Sequence, residues 1–449
     1  MRWILSFLLL GLLSAVSALS SGGNKLLVVL EELSEKSKYS KYFGDLEARG
    51  YELTFESPKS EKLGLFELGE RSFDHLLVLP SKSKGLGPAL TPKVLLDFIN
   101  KGGNILLTLS SAHPTPTALV SLLLELDIHL PTERNSLVVD HFNYDTLSAA
   151  EKHDVVLLPR PDAVRLDVKN YFRGDGKSGE VIAFPEVLDR LWEMLEDLEG
   201  VEDPFAVGQQ LSLVTTMQAR NSARFTVVGS SEVLEDAWFD AKVKRSIGLG
   251  GVGSDAKEIK TANQEFSKEV TGWTFKEIGV LKVGSIRHYL HENGIKSNDI
   301  NPKIYRIKND VLSEYSWNKW VPFTPPTGDS LQLEFSMLSP FHRLLLEPST
   351  TTSDSQTYTT SFKLPDQHGI FNFKINYKRP FLTNIEEKNT VTVRHFAHDE
   401  YTRSWAISNA WPWIAGIGAT VTGWVAFVAL WLWSKPVPVK LTKSGKKSQ

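Results

Sequence analysis

Between Arg403 and Lys435 the chain carries no charged side chain. As a helix, Trp411 to Trp433 alone is about 34 Å long, slightly more than the hydrocarbon thickness of a bilayer. A modest tilt accommodates the excess. Trp405, Trp411 and Trp413 crowd one end and Trp431 and Trp433 the other, where indole rings keep their N–H at headgroup level and bury their apolar face. A buried core helix would not place tryptophan at both ends, so residues 405–434 are expected to form one transmembrane helix.

The flanks orient it. The tail, 435–449, holds Lys435, Lys440, Lys443, Lys446 and Lys447 and no acid, and such clusters stay cytosolic. Its end, Lys446-Lys447-Ser448-Gln449, resembles the dilysine retrieval signal that returns type I membrane proteins to the endoplasmic reticulum. At the other terminus, Arg2 precedes an apolar run from Trp3 to Leu13 and small residues around Val16 and Ala18. That is a signal peptide over 1–18, too short to serve as a span. The expected topology is single-pass type I in the endoplasmic reticulum membrane, with the body luminal. Within the helix, Ala415, Ala419 and Gly423 recur at spacing four with Gly416 and Thr420 beside them. Such a small-residue stripe lets another helix approach closely, the main route to association in lipid.

The whole chain has a net charge of −3; without the five tail lysines and Arg2, residues 19–434 carry −9. An acidic luminal body is no nucleic-acid binder. There is no cysteine, which excludes disulfides, thiolate nucleophiles and cysteine metal sites. The luminal length is ample for two or three domains stabilised by core burial alone. No asparagine lies in an Asn-x-Ser/Thr sequon, so the chain should carry no N-glycan.

From residue 24 to about 230, short apolar runs alternate with amphipathic stretches. Lys25–Leu30, Tyr51–Phe55, Leu76–Leu79, Ile105–Leu109, Val155–Leu158, Leu211–Met217 and Arg224–Gly229 read as strands. Pro92–Lys101 reads as a helix stopped by Gly102 and Gly103. The order argues for an α/β domain with a parallel sheet, Rossmann/flavodoxin-like. Ligands in such folds sit at the strand C-termini, here Glu31-Glu32, Pro80-Ser81 and Ser110-Ser111, none of which forms a recognisable cradle. Gly248 to Gly253 fits G-x-G-x-x-G, but Asp240–Arg245 before it is charged and reads as a helix end rather than the required strand. It is expected as a loop inside a linker spanning 231–265. Over 266–400, period-two alternation takes over: Phe371, Phe373, Ile375 and Tyr377 alternate with Asn372, Lys374, Asn376 and Lys378, and Leu331, Leu333 and Phe335 with Gln332 and Glu334. Tyr358, Thr360, Phe362 and Leu364 repeat the pattern. An antiparallel β-sandwich-like region is expected.

Catalytic chemistry finds little footing. There is no G-x-S-x-G elbow and no P-loop, and an independent hydrolase would lack nucleophile and base. His288 with His291, and His395 with His398, have a spacing that helices use for metals, yet both pairs adjoin strand-like sequence. Glu193, Glu196, Asp197 and Glu199 lie in Leu188–Leu198 and read as the solvated face of a helix. No catalytic, cofactor-binding or metal residue is assigned.

Particular residues carry a family resemblance. Trp273, Phe275-Lys276-Glu277, Gly279-Val280-Leu281 and Val283-Gly284 are followed by Trp320-Val321-Pro322-Phe323 and Leu331–Phe335. Then come Phe362-Lys363-Leu364-Pro365-Asp366, Gly369, Phe371, Phe373-Lys374, Tyr377, Val391, Val393-Arg394, His398 and Tyr401. Together these resemble the 48 kDa subunit family of oligosaccharyltransferase, in a fungal-type form. Asp140-His141 and Asn143-Tyr144-Asp145 resemble the family's Asp-His-His-Asn-Tyr-Asp segment, with Phe142 in place of the second histidine. Trp411-Pro412-Trp413 replaces a tyrosine-rich entry to the span. The resemblance implies a non-catalytic subunit of the complex that transfers oligosaccharide from dolichyl diphosphate to asparagine of nascent proteins, with roles in assembly, stability and substrate positioning. It implies partners, a ribophorin-like subunit and a polytopic catalytic subunit that uses the divalent metal. The residues agree, because one helix without an intramembrane acid cannot supply a metal-assisted site. The alternative is a membrane protein of the endoplasmic reticulum whose α/β domain binds glycan or peptide in its own right.

Overall fold

The computed structural model describes residues 20–83, 85–130, 137–160, 180–187, 212–246, 258–284, 286–292, 295–297, 305–316, 319–365, 367–395 and 411–435. The expected signal peptide, the Leu188–Leu198 helix, the Gly248–Gly253 loop and Lys446 and Lys447 lie outside the described residues.

Strands β1 (Lys25–Val29), β2 (Glu52–Glu56), β3 (His75–Val78) and β4 (Asn104–Thr108) are short apolar runs, and all but β2 are buried on both faces. Double burial is what a parallel sheet covered by helices demands. Two further pairs follow, β5 (Val155–Pro159) with β6 (Val181–Pro185), and β7 (Val214–Gln218) with β8 (Arg224–Val228). The main sheet has the order β2-β1-β3-β4-β8-β7. Its pairs are parallel except β8 with β7, which is antiparallel.

Helices cover both faces. Leu26, Val28, Leu77 and Leu106 pack toward α1 (Ser40–Ala48), while Leu27, Val29, Leu76 and Leu107 pack toward α2 (Pro92–Asn100) and α3 (Thr117–Glu125). Thr91 caps α2 by accepting from the Val94 N–H, and Pro92 sits where a missing N–H costs nothing. Gly102, at φ +88°, ends the helix as expected, and at Gly103 a Cβ would lie 2.3 Å from the Phe98 ring.

Three expectations for this unit change. Val155–Leu158 is a strand, but it pairs antiparallel with β6 in a separate two-stranded sheet; an apolar run announces a strand, not its neighbour. The strand expected at Leu211–Met217 is the antiparallel edge of a mixed sheet. Much of the stretch expected as linker is packed structure. Within it and directly after it lie α4 (Asp236–Phe239) and α5 (Asn263–Thr274), and Phe239, Phe266, Val270 and Phe275 enter the first core. Ahead of the glycine-rich loop, α4 ends and a two-residue strand, Lys242–Val243, pairs with Ile259–Lys260.

The β-rich unit begins at β9 (Ile278–Val283) and continues with β10 (Ile286–Glu292), β11 (Ile295–Ser297), β12 (Tyr305–Ser316), β13 (Lys319–Pro322), β14 (Gln332–Ser336), β15 (Pro340–Leu345), β16 (Glu347–Thr351), β17 (Gln356–Phe362), β18 (Gly369–Tyr377) and β19 (Ile385–Val393). One antiparallel sheet has the order β11-β10-β12-β17-β16, with β9 and β13 also on β12; the other runs β15-β14-β18-β19. Leu281 and Tyr358 of the first sheet share a core with Phe335, Phe371, Phe373 and Ile375 of the second. The rings of Phe335 and Phe371 stack at 4.6 Å. The period-two reading of 371–377 and 331–335 holds residue by residue, with the apolar members buried.

The two units are joined by buried polar contacts. Arg224, at the start of β8, is fully buried and donates to the carbonyls of Trp273, Ile278 and Gly279. Its guanidinium lies 4.7 Å from the Trp273 ring, and Trp273 Nε1–H donates to Phe381 O at 2.9 Å. Gln218 donates to Leu382 O, and Ser222 Oγ accepts from the Asn384 N–H. Last comes α6 (Trp411–Trp433), a helix long and apolar enough to cross a bilayer, with none of its side chains buried.

Candidate functional site

At the C-terminal ends of β1 and β3, where a ligand crevice would open in a sheet of this order, the chain supplies its own anion. Ser83 Oγ–H donates to Glu31 Oε1 at 2.8 Å, Lys59 Nζ approaches the same oxygen at 3.3 Å, and Ser81 Oγ–H donates to Oε2. Burial would raise the Glu31 pKa, but the hydrogen bonds from Ser81, Ser83 and Lys59 outweigh it and hold the carboxyl below its usual range. Beside this edge, between Pro80, Ser81, Thr108, Ser110, His113 and Thr115, is a cavity of about 10 Å³. That is room for a single water. The strand ends named from sequence thus meet in space, but around a carboxylate already satisfied.

Farther along the same edge, the Glu232 carboxyl is pushed up to about 7, first by burial and then by Glu186 and Glu235, with Lys38 opposing. Among the described residues no three His, Asp or Glu side chains converge as a metal ligand set.

The histidine pairs expected from spacing do not form as such. The His288 ring lies tilted against Phe373, centroids 5.3 Å apart, and near Asn389, and the side chain of His291 is outside the described residues. His395 faces His368, their rings 5.7 Å apart; His398 is outside the described residues. The pair that does meet is His141 with His153, Nδ1 to Nδ1 at 2.8 Å, with Tyr144 stacked on His153 at 3.8 Å. Twelve residues of separation in a loop leave no periodic signal for it.

This loop is braced from within. The Asp140 carboxylate accepts from the N–H groups of Phe142 and Asn143. Buried Asp145 accepts from the N–H groups of Leu147, Ser148 and Lys244, stitching the loop to the packed stretch beyond β8. Phe142 projects into solvent, 60% exposed.

Helix α6 offers a different kind of surface. Pro412, Trp413, Gly416, Ile417, Thr420 and Val421 form one open face of it. Gly416 and Thr420 of the expected stripe form part of that face, while Ala415, Ala419 and Gly423 lie outside it. A Cβ at Gly416 or Gly423 would meet nothing within 4 Å, so the chain's own packing does not require glycine there. Thr420 Oγ1–H donates to Gly416 O and Thr422 to Gly418 O, which satisfies both hydroxyls without water.

With this geometry in view, comparison with known proteins is decisive. The OST48 N-terminal domain family matches residues 17–189 and 192–277, and the OST48 middle domain family matches 289–435. The chain belongs to the OST48 family. Its relatives include the "dolichyl-diphosphooligosaccharide--protein glycosyltransferase subunit wbp1" of Schizosaccharomyces pombe, 30% identical over 91% of this chain and 92% of the relative. The "48 kDa subunit" of Danio rerio is 31% identical over 92% of each chain, and the WBP1 subunit of Saccharomyces cerevisiae 30% identical over 98% of each. In this OST48 family chain the two matched regions part between 277 and 289. That interval holds β9, whose Ile278 and Gly279 carbonyls Arg224 binds. The middle-domain match runs through the whole of α6, so the apolar helix is part of the family pattern.

Proposed function

We propose that this chain is a non-catalytic subunit of the oligosaccharyltransferase complex, serving assembly and stability, with substrate positioning as a second role. The observation that carries the proposal is the match over nearly the full length to relatives whose names place them in that enzyme. The strand order supports a flavodoxin-like class for the first unit, because it reverses between β1 and β3 with helices on both faces. The crevice at that reversal is filled by Glu31 and its serines, which suits a scaffold better than a small-molecule binder. The lysine-rich tail supports a type I orientation with the body luminal, and Lys446 and Lys447 support retrieval to the endoplasmic reticulum. The small-residue stripe of α6, comprising Ala415, Gly416, Ala419, Thr420 and Gly423, is the surface for a neighbouring helix. A ribophorin-like subunit and the polytopic catalytic subunit, which would hold the divalent metal, are the partners.

Affinity purification in mild detergent tests this. The complex should elute with a polytopic catalytic subunit and a ribophorin-like subunit in constant ratio. Elution of the chain alone would count against it.

A further inference from the structure

The β-rich unit projects large apolar side chains into solvent at Leu338 (98% exposed), Ile370 (59%) and Leu345 (58%). Two of these share one end of the β15-β14-β18-β19 sheet. The register sets Gly369 opposite Val393 and Ser336 opposite Asn372. The β14–β15 turn bearing Leu338, the start of β18 and the end of β19 therefore form one edge. From that edge the chain leaves Val393 and, after residues 394–410, enters the charge-free helix at Trp411. Leu345 lies opposite Gln332 at the far end.

The turn is not simply frayed. Met337 tucks against Gly369, where a Cβ would come within 2.7 Å of its sulfur, while Leu338 next to it points out. The edge carries Lys363 and His368 between β17 and β18, and Arg394 and His395 after β19, all exposed. An exposed apolar tip with Lys363 beside it, on the edge from which the chain continues toward an apolar helix, is the pattern of a surface that rests on lipid headgroups.

We propose that this edge seats on the bilayer surface, with Leu338 and Ile370 entering the acyl boundary and Lys363 at headgroup phosphates. The inference rests on reading α6 as a span, and it fixes the height of the body above the membrane. Because the chain has no cysteine, nitroxides can be attached singly to full-length protein in phospholipid nanodiscs, through Leu338→Cys, Ile370→Cys, Leu345→Cys and Val425→Cys. Leu338 and Ile370 are exposed, so these changes leave the core intact. The prediction is that oxygen relaxes the labels at 338 and 370 more than a water-soluble nickel chelate does, with the ratio inverted at 345. A water-like ratio at 338 and 370 overturns the proposal and leaves the edge in solvent. Shielding from both reagents overturns it in favour of a protein contact. If the label at 425 also fails to read as deep in lipid, the span reading itself falls, and the proposal with it.

Discussion

Arg224 and His75 show how much of this structure depends on single buried polar side chains. The Arg224 guanidinium donates to carbonyls on both sides of the joint between the units, and Arg224→Met would remove that buried donor, leaving the Trp273 and Gly279 carbonyls only the backbone N–H groups of Lys276 and Thr383. We expect a loss of about 3 kcal/mol in denaturant unfolding, with faster protease cleavage near Phe381. An unchanged midpoint would show that the joint does not need it. His75 is neutral in the fold, its Nδ1 accepting from Asn104 and its Nε2–H donating to Gly23 O. Burial, opposed by the Gly23 carbonyl, pulls its pKa from 6.5 down to about 3. Since the folded value lies below the unfolded one, this stability is present above pH 6.5 and is lost as pH falls toward 3. His75→Gln should flatten the stability profile across that window, and an identical slope in both proteins would refute the assignment. Neither role was legible beforehand: Arg224 reads as the first residue of a strand, and His75 falls just outside the expected strand Leu76–Leu79. Partners more than a hundred residues away, such as Phe381 for Trp273, leave no local pattern.

At the scale of elements, the sequence was most informative where one face is wet. In β14 and β18 alternation identifies the strand, its inner face and its depth together, because a one-residue slip would bury Lys374 and Asn376. Where both faces are buried, alternation disappears. This is why Val155–Leu158 could be recognised as a strand but not assigned to its separate pair with β6. The same holds for α5, of which only the first three residues fall in the expected linker and the rest in the expected β-rich region: its sequence is weakly apolar, and it is fixed by tertiary burial of Phe266, Val270 and Trp273. Helix α6 carries its own prediction. Gly416→Leu adds a Cβ that meets nothing within 4 Å and bulk on the open face, so the protein should accumulate normally yet lose most co-purifying subunits. Val425→Leu, half a turn around the helix, should retain them. Equal recovery from both variants would exclude that face as the contact.

As a whole, the molecule couples a sheet whose ligand crevice is occupied by Glu31 to an antiparallel sandwich through the Arg224 joint, and carries an apolar helix beyond them. These features describe a scaffold, and the absence of sequons predicts that endoglycosidase leaves the gel mobility of the purified chain unchanged; a shift would contradict it. The central claim is a role in protein N-glycosylation without catalysis by this chain. The most direct test is to deplete the protein and measure sequon occupancy across many secreted clients by mass spectrometry. The account predicts that occupancy falls in many clients together and is restored by the intact chain. Full occupancy after complete depletion would contradict it.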